Sequence, residues 1–328
     1  MKPTFALEAE HSDDALVSLL TAGWEAHLRE GVVAYDPATA ACWDTPPFRY
    51  HCVPERQWRP KTDPEAPPHP EGLSRPHVVC PFDSEEFVSL RVLAHVAREG
   101  RRYMIACNKF PVTARHFLAI RTPDAPAETL SQRIHGPEEL EDLVLLLTLL
   151  GAPFHCYFNS NRGADGSAAG SSVNHWHVQF LSYFEASSSR LMEPPLWRRE
   201  ERGVRVGAVQ DWPARHVLVE AAATDVRPAC AVIWKGLEHL SAGHVAYNLE
   251  AAPTTDGRFR LFLFPRRYAP PTYFGPAGAL SCDIGGCELG GHFVLPQTEI
   301  FDWIRAHPEK AHDLSYRRLA ESTRELAL

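Results

Sequence analysis

Gly170-Ser171-Ser172-Val173-Asn174-His175-Trp176-His177-Val178-Gln179-Phe180-Leu181 is the stretch on which the fold turns. Polar and apolar residues alternate from His175 to Phe180, and Trp176, Val178, Phe180 and Leu181 favour extended backbone, so the run predicts a strand. A period of two places His175, His177 and Gln179 on one face, with Trp176, Val178 and Phe180 packed behind them. Upstream, Gly163-Ala164-Asp165-Gly166-Ser167-Ala168-Ala169-Gly170 has the small, flexible composition of a loop that closes on a ligand. Ser171, Ser172 and the backbone N–H groups around Gly170 are candidate donors to an anion.

Two imidazoles and an amide side by side suit phosphoryl chemistry. A neutral imidazole is nucleophilic near pH 7, and attack on an α-phosphate leaves a nucleotidyl-histidine. A second histidine orients the first or protonates a leaving oxygen, and Gln179 holds a phosphate oxygen without adding charge. His-x-His on a strand also occurs as two half-exposed residues or as a pair of metal ligands. A cupin-type metal site lacks its glutamate, because Glu185 stands too far beyond His177.

The run resembles the active-site strand of the histidine-triad superfamily, in the branch whose third histidine is replaced by glutamine. That branch holds hexose-1-phosphate uridylyltransferases, diadenosine tetraphosphate phosphorylases and GDP-sugar phosphorylases; the form Ser-Val-Asn-His-x-His-x-Gln is most similar to the last. The resemblance implies that His177 is the nucleophile and that Gln179 holds the phosphate. Asn108-Lys109-Phe110-Pro111 followed by His116-Phe117-Leu118 is similar to the Asn-Lys-(Phe/Tyr)-Pro-Val…His-Phe-Leu segment of the dinucleotide phosphorylases, on two strands (103–111 and 115–120). It implies that His116 supports the His177 ring and that Asn108 and Lys109 lie at the substrate. Tyr157-Phe158-Asn159-Ser160, on a strand over 155–160, matches a piece whose asparagine contacts the nucleotide, hence Asn159.

Looser matches follow. Val53-Pro54-Glu55-Arg56 and Lys61 resemble an Asn-Pro-x-Arg…Lys pattern with Val53 in place of the asparagine, giving Arg56 and Lys61 as phosphate contacts or as a solvated basic loop. Phe264-Pro265-Arg266-Arg267 resembles a Phe-Pro-Arg piece, with Arg266 reaching phosphate or lying in a basic turn. Some superfamily members bind zinc through Cys-x-x-Cys and the first histidine of the active-site pair. Here His77-x-x-Cys80 stands in that place, so His77, Cys80 and His175 are a candidate zinc set, with Asp124 near a fourth ligand's place; no cofactor is otherwise required.

The remaining elements are structural. A helix over 13–30, capped by Ser12 and stopped by Gly31, carries Leu16, Leu19, Leu20, Trp24 and Leu28 on one stripe. A helix over 137–150 opens on Pro137, Glu138 and Glu139, ends at Gly151, and lays Leu140, Leu143, Val144, Leu147 and Leu150 on a sheet. His216-Val217-Leu218-Val219 and Ala246-Tyr247-Asn248-Leu249 echo 116–119 and 157–160, the pattern of a duplicated unit whose second copy lacks His-x-His. The run from Cys282 to His292 holds evenly spaced ligand types, but its glycines favour tight turns and close backbone approach over a metal. Residues 297–305 and 313–328 read as helices.

The expected fold is α+β: two tandem histidine-triad-like halves with antiparallel sheets packed by helices. The expected organisation is an N-terminal helical segment (1–47), a catalytic half (48–205) and a degenerate half with C-terminal helices (206–328). The expected activity is nucleotidyl transfer or phosphorolysis of a nucleoside diphosphate sugar or dinucleoside polyphosphate, with phosphate or a phosphorylated small molecule as acceptor. A nucleotide hydrolase and a non-catalytic nucleotide-binding protein are the alternatives. A formal charge of −8 and a pI near 6.1 give no basic nucleic-acid surface. Eight scattered cysteines fit reduced thiols, and no apolar run reaches membrane-spanning length, so a cytoplasmic protein is expected, with a homodimer left open.

Overall fold

The computed structural model describes residues 2–7, 13–58, 80–123, 130–151, 153–182, 194–268, 272–275 and 280–326. Lys61, His77, Asp124 and the expected cap Ser12 lie outside them. Strand β1 (Thr4–Ala6) and helix α1 (Asp14–Arg29) precede the hairpin of β2 (Ala41–Thr45) and β3 (Phe48–Cys52). Helix α2 (Glu85–Arg91) leads into β4 (Val92–Arg98), β5 (Arg101–Cys107) and β6 (Phe117–Thr122), then α3 (Pro137–Leu150), β7 (Phe154–Asn159) and β8 (His177–Ser182). Next come β9 (Pro195–Glu201), β10 (Val204–Val209), β11 (Val217–Ala222), α4 (Arg227–Ala242), β12 (Tyr247–Pro253) and β13 (Arg258–Pro265). The chain closes with β14 (Thr272–Phe274), β15 (Leu280–Cys282), α5 (Gly286–Leu289), β16 (His292–Leu295), α6 (Thr298–Ala306) and α7 (Pro308–Ser322).

One 11-stranded sheet runs through the molecule in the order β1-β4-β5-β6-β8-β7-β12-β13-β11-β10-β9. Its two halves repeat: β4-β5-β6-β8-β7 has the same connectivity as β9-β10-β11-β13-β12, and β7 joins β12 edge to edge. Each repeat opens with a two-residue hairpin turn, Glu99-Gly100 and Arg202-Gly203, all at positive φ as a type I′ turn requires. Phe117 pairs with Phe180 in the first repeat and Val217 with Leu263 in the second. By that register Arg258, Arg260 and Phe262 occupy the places of His175, His177 and Gln179. Both arginines close on the buried Glu220 carboxylate, Arg258 Nε at 3.1 Å and Arg260 Nε at 3.0 Å. The second repeat has the same scaffold and carries an ion cluster where the first carries imidazoles.

Alternation along the strands sorts the two faces. Phe117, Phe154, Phe158, Trp176, Val178, Phe180, Leu249 and Leu261 enter one core with α1, α3 and α4. On the opposite face, β16-β3-β2 form a second sheet backed by α6 and α7, with Phe48, Tyr50, Phe262, Phe264 and Phe293 packed together. Helix α1 is capped by Asp13, whose carboxylate accepts from the N–H groups of Ala15 and Leu16. Helix α3 is wrapped on all sides, not amphipathic: Leu145, Leu146, Leu149, Glu139, Glu141 and Asp142 are buried as well as its expected stripe. Its acids are paired, Asp142 taking bonds from Arg98, Arg101 and Tyr103.

Several histidines are buried as neutral rings. Burial lowers His216 and His292 to about 4 and holds His51 and His155 well below the ordinary value of 6.5. His51 Nε2 and His292 Nδ1 meet at 3.2 Å between the two sheets. In the unfolded chain these rings protonate near 6.5, so their stabilisation is complete at neutral pH and is lost as pH falls from about 6.5 towards 4. Glu250 and Glu288 are raised by burial and act in the opposite sense, so four histidines oppose two carboxylates. The thermal midpoint is therefore expected to fall between pH 7.5 and 5, and Glu250→Gln should steepen the fall. A midpoint constant or rising over that interval would contradict this balance.

Candidate active site

The candidate catalytic strand begins two residues later than its alternation predicts. Strand β8 starts at His177, and His175 stands in the turn before it, held by an antiparallel contact in which Arg121 N–H donates to Trp176 O at 3.1 Å. His177 and Gln179 still share the face opposite the main core, next to β6 and β7.

Hydrogen bonds set the tautomer of each ring. His177 Nδ1 lies 2.8 Å from the carbonyl of His175, so Nδ1 carries the proton and the neutral ring keeps its lone pair on Nε2. Phe82 meets the His177 ring edge-on at 5.2 Å, giving it an apolar wall. His116 was expected to support the His177 ring; its Nε2 lies 3.1 Å from Gln179 Oε1 and 3.1 Å from Asn108 Nδ2. Val112 N–H donates to His116 Nδ1 at 3.0 Å, which puts the proton on Nε2, and Nε2–H donates to Gln179 Oε1 at 3.1 Å. With its oxygen so engaged, Gln179 presents its NH₂ as a donor, the polarity a phosphate oxygen needs. Asn108 completes the turn, its Oδ1 accepting from Phe110 N–H at 3.0 Å, while Lys109 is exposed.

The expected binding residues lie on several elements. Arg56 NH1 donates to Phe110 O at 2.8 Å, placing it beside the Asn108 turn. Asn159 Oδ1 accepts from Asn248 Nδ2 at 2.7 Å, so both repeats contribute to one polar seam between β7 and β12. Gly170, at φ +85°, lies against Gly285, where an added Cβ would come 3.3 Å from the Gly285 Cα. Gly286 is packed tighter still: a Cβ there would stand 2.9 Å from Asn159 Oδ1. The 282–292 glycines thus serve close backbone approach, as expected, and bring α5 down onto the catalytic sheet. The Ser171 hydroxyl donates to Val173 O at 2.8 Å, so its proton is spent within the loop; Ser172 is half-buried nearby.

Arg266 is buried, with NH2 donating to Ile284 O at 2.8 Å and with Nε and NH1 meeting no partner among the described residues. Burial lowers its guanidinium to about 10, opposed by Glu288. A buried cation with two open donors fits an anion. Arg324 secures this corner: its Nε donates to Arg266 O at 2.7 Å and its NH2 pairs with Asp165 of the glycine-rich loop.

His175 points to a different cluster. Its Nε2 lies 2.7 Å from Arg121 O, leaving Nδ1 as the acceptor, 3.2 Å from Cys80 Sγ. Cys80, Asp83 and His175 offer ligand atoms that all lie within 4.8 Å of one another, a soft and a hard donor with an imidazole of the right tautomer. This donor set fits a divalent cation. Asp83 was missed in the sequence because its spacing, Cys80-x-x-Asp83, matches no common metal motif.

Against this geometry stand the likenesses to known proteins. Residues 185–314 match the family described as GDPGP1-like, C-terminal domain. The chain superposes on yeast Ap4A phosphorylase Apa2 solved with AMP, at TM-score 0.63 and 15% identity, over 95% of this chain and 97% of that one. The same enzyme with Ap4A gives TM-score 0.63 and 16% identity over 95% and 98%. No curated protein sequence matches. The chain therefore has the histidine-triad superfamily fold in its tandem form. Its architecture is that of Ap4A phosphorylase over 95% of its length, with residues 185–314 similar to the GDPGP1-like C-terminal domain.

Proposed function

We propose that this protein is a nucleotidyltransferase of the phosphorylase type. The observation that carries the reading is the pairing of a His177 ring whose lone pair is set on Nε2 with a Gln179 amide turned donor-outward by His116. Nε2 attacks the α-phosphorus of a nucleoside diphosphate sugar or dinucleoside polyphosphate; the N–P bond forms as the bridging P–O bond breaks, and the leaving phosphate departs with the electron pair. Gln179 and the N–H groups at Gly170 hold the nonbridging oxygens, with Arg56 and Arg266 facing the departing phosphates. An oxygen of inorganic phosphate or of a phosphorylated acceptor then attacks the same phosphorus, the N–P bond breaks, and His177 returns to the neutral ring. The GDPGP1-like match and the Apa2 likeness support nucleotides as the substrate class.

The test is product analysis with GDP-, UDP- and ADP-sugars and diadenosine polyphosphates, with and without phosphate. Nucleoside diphosphate formed only with phosphate is the expected result. Nucleoside monophosphate released at the same rate in both conditions would make the protein a hydrolase.

We also propose that Cys80, Asp83 and His175 hold zinc, which would fix the turn ahead of the catalytic strand; His77 lies outside the described residues. Purified protein should carry about one zinc per chain, lost in Cys80→Ala. Metal-free protein from zinc-supplied medium would remove the proposal.

A further inference from the structure

The catalytic strand loses its neighbour at the nucleophile. Gln179 pairs with Tyr157, but β7 ends at Asn159 and Ser160 N–H turns to Tyr247 O at 3.0 Å. Residues two apart on a strand direct their N–H and C=O to the same side, so the His177 peptide groups point into the gap that β7 has left. A buried pair of orphaned groups there would be destabilising. Gln132 fills the place. Its side chain is fully buried, Oε1 accepts from His177 N–H at 2.7 Å, and Nε2 donates to His177 O at 2.8 Å. A primary amide thus copies the double bond that a strand residue would make.

The residue is itself held. Gln132 N–H donates to Asn174 Oδ1 at 3.1 Å, Gln132 O accepts from Asn161 N–H at 2.9 Å, and Asn161 Nδ2 donates to Asn174 Oδ1 at 3.2 Å. Trp176 N–H donates to Leu130 O at 3.0 Å on the same segment. The segment ahead of α3, the turn ahead of β8 and the end of β7 are therefore one network centred on the His177 peptide.

We propose that Gln132 is a positioning residue for nucleotidyl transfer: it stands in for the missing strand, letting the sheet open beside His177 while the nucleophile keeps its register. This rests on His177 being the nucleophile. At neutral pH the amide supplies a donor and an acceptor together; methionine offers no donor and only a weak acceptor, and an ionised glutamate cannot donate.

The test uses Gln132→Met, Gln132→Glu and, as a control for lost packing alone, Leu143→Ala in the core. Formation of the His177 adduct from the nucleotide panel above should slow by about 100-fold in Gln132→Met, the scale of a small misplacement of a reacting group. Nucleotide affinity should stay within about threefold, and Leu143→Ala should keep the wild-type rate. Gln132→Glu should regain adduct formation as pH is lowered from 8 to 6, because the protonated carboxyl again donates to His177 O. Hydrogen exchange at the His177 amide should accelerate at least about tenfold in Gln132→Met. A wild-type rate in Gln132→Met, a pH profile of Gln132→Glu parallel to wild type, or unchanged exchange at His177 would each overturn the proposal. If wild-type protein forms no adduct, the functional reading fails, while the exchange result still decides whether Gln132 clamps the strand.

Discussion

Exchange of His177 for asparagine is expected to abolish turnover, by about 10⁴-fold or more, while nucleotide binding survives. The size follows from the chemistry: the ring supplies the electron pair of the N–P bond, and removal of a nucleophile acting as one unit with its partners removes nearly the whole covalent route. Binding is expected to survive because the groups proposed to hold phosphate, Gln179, the Gly170 backbone and Arg266, belong to other residues. Asparagine is close in size to the imidazole's Nδ1 half and can retain the donor to the His175 carbonyl. Comparing turnover with calorimetric affinity for the same nucleotide separates the two effects. Turnover within tenfold of wild type would mean that His177 is not the nucleophile.

The largest expected loss of stability is at Asp142. This side chain is fully buried and receives Arg98 NH1 at 2.8 Å, Arg101 NH2 at 3.1 Å and the Tyr103 hydroxyl, so it ties α3 to the β4–β5 hairpin. Asp142→Ala leaves both guanidinium groups, about 15% exposed, facing a cavity without their shared counter-charge. Breaking one side of such a pair costs about 3–5 kcal/mol. Glu141, which also meets Arg98 at 3.0 Å, keeps the loss from being larger. Urea unfolding of wild type and variant measures it, and a change below about 1 kcal/mol would show that the cluster is energetically redundant.

These two residues also show what the sequence disclosed. The shared face of His177 and Gln179 was legible because a strand keeps its alternation even where its neighbours differ, and both residues sit in one short run. The duplicated unit was legible from His116 and His216, each now seen accepting a backbone N–H, from Val112 and Val209. Asp142 was hidden inside an apolar helix, because its partners Arg98 and Arg101 lie about 40 residues away in sequence. Gln132 was hidden for a different reason. An amide that completes a sheet has no spacing rule, since its register is set by where β7 leaves β8. His116, immediately ahead of β6, was expected to support the His177 ring; its Nε2 contacts to Gln179 and Asn108 depend on how the turn before β6 folds onto β8, which sequence order does not reveal.

The account rests on a covalent nucleotidyl-histidine, and intact-protein mass spectrometry tests it directly. Protein mixed at neutral pH with GDP-, UDP- and ADP-sugars and diadenosine polyphosphates, phosphate omitted, is expected to gain the mass of one nucleoside monophosphate. That gain should vanish in His177→Asn and be discharged when phosphate is added. Turnover of any of these substrates without such an adduct, or an adduct that persists in His177→Asn, would contradict the account.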